Sequence, residues 1–498
     1  MGRKFTRSDP EKRIPPRVLL WLGGITLLSV GAYLVSSGIY YRFGFPLDDA
    51  WIHQTYARNL GLHGEWSFLV GTTSGGSTSP LWSILLAIGF RIGLMPYLWT
   101  YFLGAVALFG LAVVSELAMR QWESSYRPRF PWVGAALALE WHLIWSAASG
   151  METILFTFLV TVTLLLIISG STNYFRLGLL IGLSVWVRPD GLTLIGPVVM
   201  AILLKRSSWS IHLRAFVKLG LGFGALFAFY LLFNLIVSGT PFPNTFYAKQ
   251  AEYAELLKVP FILRLGSELF PLIKGIGLIL LPGFVFSMIT VIRKRDWGSL
   301  AAAIWAFGFI TLYAWRLPVT YQYGRYIMPV IPIFLIFGLA GLINLTNRQG
   351  SRWQWIITTS WRLVAGGILT AFCILGAFRY AKDVAFIESE MVATAKWVAI
   401  NIPANDLVAA HDIGALGYFG GHDLVDLAGL VSPELIPYLR NEEWISDYLN
   451  GRGVTYLVAF PDWYQKLTSG LEPVYTSGSP YTQEAGGQNM TVFYWPGN

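Results

Sequence analysis

The chain contains a single cysteine, Cys373, inside an apolar run, so no intrachain disulfide can form and a redox or zinc-thiolate site is not expected. Charge is scarce too, at 13% of 498 residues, and no repeat of solenoid period or low-complexity segment is present. The net charge of +8 does not point to nucleic acid, because the basic residues are spread over short loops between apolar runs, where they report membrane orientation. The first apolar run is too long for a signal-peptide core and lacks a small-residue cleavage site. Leu19 to Tyr41 is therefore expected to stay as an anchor behind a basic cytoplasmic tail, residues 1–17. What is abundant is apolar: 54% hydrophobic and 15% aromatic residues, in repeated runs of about the 20 residues that cross a bilayer. The expected fold class is an α-helical polytopic membrane protein.

Eleven spans are expected, at roughly 18–41, 98–119, 132–149, 151–169, 177–188, 191–204, 216–238, 271–292, 299–315, 326–345 and 363–380. A further run at 80–95 is short and interrupted by Arg91; if it lies along the interface, 20 of the 36 basic residues fall on one side with only four acids. That arrangement puts the N-terminus in the cytoplasm and the C-terminus outside. "VRPDG" splits 177–204 into two half-length helices. Beyond Tyr380 the composition changes, with 14 acids against five bases in 381–498. "ATAKWVAINIP" has helical periodicity there, and "DLVAAHD", "DLVDLAG", "VTYLVAF", "EPVYTS" and "MTVFYW" read as strands. The expected domains are a transmembrane unit, 18–380, with a juxtamembrane first external loop at 42–97, and a small extracytoplasmic α/β domain, 381–498.

Charge near hydrocarbon is costly, so its position is informative. Five polar clusters share the outer side: Asp48, Asp49, His53 and Arg58; Glu152; Arg188 and Asp190; Asn244 and Lys249; Arg316, Tyr323 and Arg325. Simpler roles exist for each. Asp48 could cap a helix from Asp49 to Leu60 and Glu152 could cap the helix after it. Arg188 and Asp190 could pair only with each other, and Lys249 and Arg325 could reach to lipid headgroups. His53 is a candidate metal ligand, substrate partner or structural histidine. Taken together, the clusters describe one site in which a carboxylate activates an incoming hydroxyl while Arg and Lys hold a phosphate. That is the chemistry of sugar transfer from a lipid phosphate.

The ordered motifs "FPLDDAWIHQTYARNLGLHGEWSF", "GSTSPLW", "SGMET", "RPDG", "PNTFYAK", "YGRYIMPVIP" and "HDIGALGYFGGHDLVDLAGLVSPE" resemble those of multi-spanning glycosyltransferases of the GT-C class. The nearest resemblance is to cell-wall arabinofuranosyltransferases and related mannosyltransferase-like enzymes, over roughly residues 45–435. It implies an inverting transferase that moves a sugar, arabinofuranose or another pentose or hexose, from a polyprenyl-phosphate donor to a glycan, lipid or protein acceptor at the outer face of the plasma membrane. By match to that class's acidic pair, Asp48 is the first choice for catalytic base and Asp49 the second, as acceptor orienter or metal ligand. His53, Arg58, Glu152, Arg188, Asp190, Asn244, Lys249, Tyr323 and Arg325 are expected to line the substrate site. His411, Asp412, Asp426 and Ser432 could contact acceptor, but strand ends place such residues for structural reasons as often. Whether a divalent cation takes part is left open. The alternatives are a protein O-mannosyltransferase, a lipid-A-type sugar transferase and, in another class, a lipid or sugar transporter, which would show internal repeats and midplane polar residues.

Overall fold

A computed structural model describes residues 14–123, 126–346, 352–484 and 486–497. Most of the basic tail, residues 1–13, and Arg348 lie outside the described residues. Seven helices among those described are long and apolar enough to cross a membrane, and shorter apolar helices, Pro80–Arg91, Thr153–Ile168, Tyr174–Val187 and Pro189–Leu203, run among them. Large apolar side chains such as Leu20, Leu28, Ile39, Phe229 and Ile236 stand exposed on the outer helices. A bundle with that apolar exterior is an integral membrane protein.

The 12-residue helix Pro80–Arg91 is about 18 Å long, too short for a ~30 Å hydrocarbon core. The expected span at 132–149 is two short helices, Trp132–Ala138 and Trp141–Ala148, broken at Leu139 and Glu140. The Glu140 carboxylate starts the second one by accepting from the Leu143 N–H at 2.9 Å. At "VRPDG", helix Tyr174–Val187 gives way to a 3-10 turn, Pro189–Leu194, before Ile195–Leu203. Proline's missing donor and the extended conformation that it imposes on Arg188 end the first helix there. Helices Tyr174–Val187 and Trp209–Ser238 touch backbone to backbone. A Cβ on Gly222 would lie 2.1 Å from the Phe175 carbonyl oxygen, so only glycine allows that approach.

Helix Arg352–Ile387 runs past Tyr380 through a π-helical turn, Glu388–Val392, into Ala393–Asn401. It leads into a five-stranded sheet ordered Leu424–Asp426, Val408–Ala410, Tyr456–Ala459, Thr491–Tyr494, Pro473–Thr476; the first three strands are parallel and the last two pairings antiparallel. The fully buried Glu390 ties sheet to helix. It accepts from Asn489 Nδ2 at 2.7 Å and the Met490 N–H at 2.9 Å, and from the hydroxyls of Ser477 and Thr482.

Candidate active site

Asp48 occupies the N-cap position of helix Asp49–His63, yet its side chain makes no cap hydrogen bond. Its Oδ2 instead accepts the Gly414 N–H at 2.6 Å and its Oδ1 the Ala415 N–H at 2.8 Å, across 366 and 367 residues of sequence. This aspartate, 8% exposed, joins the first loop to the C-terminal domain. Burial, and then the charge of Asp412, push its carboxyl up, while the two amides pull it down. The joint leaves no room at Gly414, where a Cβ would sit 2.1 Å from the Asp48 carbonyl oxygen. Gly414→Val is expected to cost about 1–3 kcal/mol, the usual penalty of overpacking, and to expose the domain junction to protease. Limited proteolysis of the purified variant checks this; an unchanged digestion pattern contradicts it.

Asp49 points the other way. Its Oδ2 accepts from Arg325 Nη2 at 2.7 Å and from Lys249 Nζ at 3.2 Å, and its side chain keeps 32% of its exposure. The Tyr326 hydroxyl, 3.1 Å from Lys249 Nζ and 3.2 Å from Arg325 Nη2, completes the cluster. Burial alone would raise the Asp49 carboxyl, but Lys249 and Arg325 outweigh it and hold the group well below the usual carboxylate range. Arg325 is buried, and its Nε and Nη1 have no partner among the described residues. Unpaired buried donors are costly, so two beside a cavity mark a place for an acceptor.

A second ionic cluster adjoins the first. Glu152 does not cap its helix; its Oε1 lies 3.3 Å from Arg188 Nη1 and its Oε2 3.4 Å from His53 Nε2. Arg188 does pair with Asp190, Nε to Oδ2 at 2.9 Å, but also donates to the Tyr313 hydroxyl at 3.0 Å. Arg188 thus joins the turn between two membrane helices to the 297–316 helix instead of closing a local pair.

Two cavities meet at Asp49. The smaller, about 230 Å³, is walled by His53, Glu152, Arg188, Lys249, Arg325 and Tyr326 and by apolar residues including Ile52, Met151 and Leu312. Leu312 also lines an apolar outer groove with Phe261, Gly308, Thr311 and Trp315. The larger, about 870 Å³, lies between the membrane unit and the C-terminal domain and is lined by Asp48, Asp49, Lys249, Tyr323, Arg325 and Asp412, among others. Of the expected site residues, Asp49, His53, Glu152, Arg188, Asp190, Lys249 and Arg325 are brought to the small cavity; Asp48 and Tyr323 face the large one. Two are not brought there. Arg58 donates to the Tyr418 and Gly417 carbonyls, and Asn244 Nδ2 donates to the Leu430 carbonyl at 3.0 Å, both acting as ties to the C-terminal domain. Tyr313, Tyr326, Glu252 and Asp383 also line these cavities and are not among the expected residues. Tyr326 sits inside "YGRYIMP" and Glu252 falls three residues after Lys249 on one helix, so spacing could have flagged both.

Among the described residues no group of three or more His, Cys, Asp or Glu is placed to hold a metal ion. Three of the four carboxylate oxygens of Asp48 and Asp49 are engaged by backbone amides or by cations.

A family model described as a domain of unknown function, DUF8728, matches residues 379–493. No curated protein matches the chain. Among solved structures, ArnT from Cupriavidus metallidurans in the apo state is similar at TM-score 0.56 and 15% identity, covering 95% of this chain and 98% of that one. The chain has the GT-C fold. ArnT bound to undecaprenyl phosphate is similar at TM-score 0.57 and 14% identity, with the same coverage. The apo oligosaccharyltransferase of Archaeoglobus fulgidus, also of the GT-C fold, has TM-score 0.58 and 10% identity, with 89% of this chain and 70% of that one covered.

Proposed function

We propose that the protein is an inverting glycosyltransferase that uses a polyprenyl-phosphate sugar as donor. The observation that carries this reading is the convergence of Arg325, Lys249 and Arg188 on one largely apolar cavity, with Arg325 Nε and Nη1 left without a partner among the described residues. A lipid phosphate supplies what this place lacks: anionic oxygens for the guanidinium and ammonium groups, and a hydrocarbon tail for the groove that continues from Leu312. The likeness in fold to ArnT bound to undecaprenyl phosphate supports the same donor class. Arg325 and Lys249 neutralise the charge that builds on the departing phosphate, the largest electrostatic demand of the step. Asp49 fixes both cations before donor arrives, so little reorganisation is needed. The unequal distribution of basic loops supports a plasma-membrane orientation with the N-terminus in the cytoplasm and the site outside. Pentose transfer of the arabinofuranosyl type and the lipid-A-type alternative share this donor chemistry and differ in sugar and acceptor.

The test is binding of undecaprenyl phosphate against undecaprenol to the protein in nanodiscs, read by native mass spectrometry. The phosphate is expected to bind at least tenfold tighter, and Lys249→Gln to remove most of that preference, since a charge-assisted bond is worth about 1.5–3 kcal/mol. Equal binding of the two lipids contradicts the proposal.

A further inference from the structure

We propose that the larger cavity receives the acceptor, that the acceptor is an uncharged sugar with a free hydroxyl, and that Asp412 of the C-terminal domain takes that hydroxyl's proton. The inference rests on the transferase reading above and assigns its acceptor side.

The cavity's volume, about 870 Å³, is within the range of ligand sites. Its wall carries six carboxylates, Asp48, Asp49, Glu252, Asp383, Asp412 and Glu442, against four cationic side chains, Lys249, Arg325, His411 and Arg440. Most of these groups are paired: Lys249 and one Arg325 nitrogen on Asp49, His411 3.7 Å from Glu252, Arg440 on the Glu252 backbone carbonyl, Asp48 on two amides, Asp383 on Trp145 and Tyr323, and Glu442 on the Leu467 N–H, which leaves Asp412 as the free carboxylate among the described residues. A surplus of carboxylate repels a phosphorylated acceptor and accepts hydrogen bonds from sugar hydroxyls. Trp463 and Tyr321, more than half exposed on the same wall, offer flat faces to a sugar ring. The buried, unpartnered Arg325 nitrogens belong to a side chain that lines both cavities. Asp49, Lys249 and Arg325 line both cavities, so a phosphate in the smaller and an acceptor in the larger meet at these side chains.

Three aspartates stand at that junction, and their partners separate them. Asp48 has an amide hydrogen bond on each oxygen, and Asp49 carries two cations on Oδ2. The Asp412 carboxylate has no hydrogen-bond partner among the described residues and opens on the cavity. Its sequence neighbours are tied down: the His411 side chain has Nδ1 2.7 Å from the Tyr464 hydroxyl, and the Gly414 and Ala415 amides donate to Asp48. Burial raises the Asp412 carboxyl, His411 lowers it, and the charges of Asp49 and Glu252 raise it again; the net direction is up, toward the working pH of a base. In the step, the acceptor oxygen forms a bond to the anomeric carbon while its proton passes to Asp412. The carbon–oxygen bond to phosphate breaks, and its electron pair leaves with the polyprenyl phosphate held by Lys249 and Arg325. Asp412 then returns the proton to water in the cavity.

The experiment uses the full chain in nanodiscs with polyprenyl-phosphate [14C]arabinofuranose and [14C]mannose as donors. Octyl glucoside and octyl arabinofuranoside serve as neutral acceptors, octyl phosphate as an anionic one, and azide as a nucleophile that needs no base. Asp412→Asn is expected to slow transfer to the octyl glycosides by about 100-fold or more while azide, an anion that meets one negative charge fewer in the variant, yields glycosyl azide at least as fast as with wild type. Asp412→Glu should recover part of the loss, and Lys249→Gln should lose both reactions. Transfer by Asp412→Asn within threefold of wild type, or loss of its azide reaction together with transfer, overturns the role of Asp412. Preference for octyl phosphate over the glycosides overturns the acceptor class. Wild type that releases no label from any donor overturns the transferase reading itself, a separate failure.

Discussion

Replacing Arg325 by glutamine is expected to lower the rate of sugar transfer by about 100- to 1,000-fold, the usual cost of removing one preorganised donor from a developing charge. Arg325 is 5% exposed, has two nitrogens without a partner among the described residues, and has its third nitrogen on Asp49 at 2.7 Å. Glutamine keeps part of the length but loses the charge and the fork of donors. Lysine keeps the charge but not the fork, so Arg325→Lys should fall between the two, since a bidentate site does not treat them as equivalents. The loss should appear in kcat more than in KM, because the charge on phosphate is largest as the bond breaks. Steady-state kinetics on variants with wild-type thermal stability checks this; full activity in Arg325→Gln contradicts it.

Arg188→Met is expected to destabilise the protein by about 3–5 kcal/mol, since it strips a partner from buried charges. Arg188 holds Glu152 at 3.3 Å, Asp190 at 2.8 Å and the Tyr313 hydroxyl at 3.0 Å. Methionine fills part of the space but leaves the buried Glu152 with only His53, at 3.4 Å. Adding Glu152→Gln to Arg188→Met should therefore recover part of the loss, although Glu152→Gln alone is destabilising. Partners in one network are not additive. Thermal aggregation midpoints of the four proteins in detergent give the cycle; strictly additive shifts contradict the account.

Much of the architecture was legible because composition and period carry it. The five runs read as strands in 381–498 became the five strands of the sheet, each a short β-branched or aromatic run closed by Gly, Pro or Asn. The shortness of helix Pro80–Arg91 was legible through Arg91, which closes its apolar run. Helix Phe261–Ile273 was missed because Arg264, Gly266 and Glu268 break its apolar run, and its apolar face emerges only once wound into a helix. The site was legible as residue types, not as partners. Asp49 is 200 residues from Lys249 and 276 from Arg325, and no local signal records such pairings. The same distance hid the division of labour in "FPLDDAW": adjacent positions on the chain point one carboxylate at the C-terminal domain and the other at the cations.

In the function proposed above, this chain moves sugar from a lipid phosphate through the Lys249, Arg325 and Arg188 cavity. Its most direct test is a transfer assay with the purified full chain and radiolabelled polyprenyl-phosphate sugars, comparing wild type with Arg325→Gln. The expected result is label moving from lipid to a water-soluble glycoside with release of polyprenyl phosphate, and its loss in the variant. Label that stays on the lipid with wild type, or that moves equally with both proteins, contradicts the account.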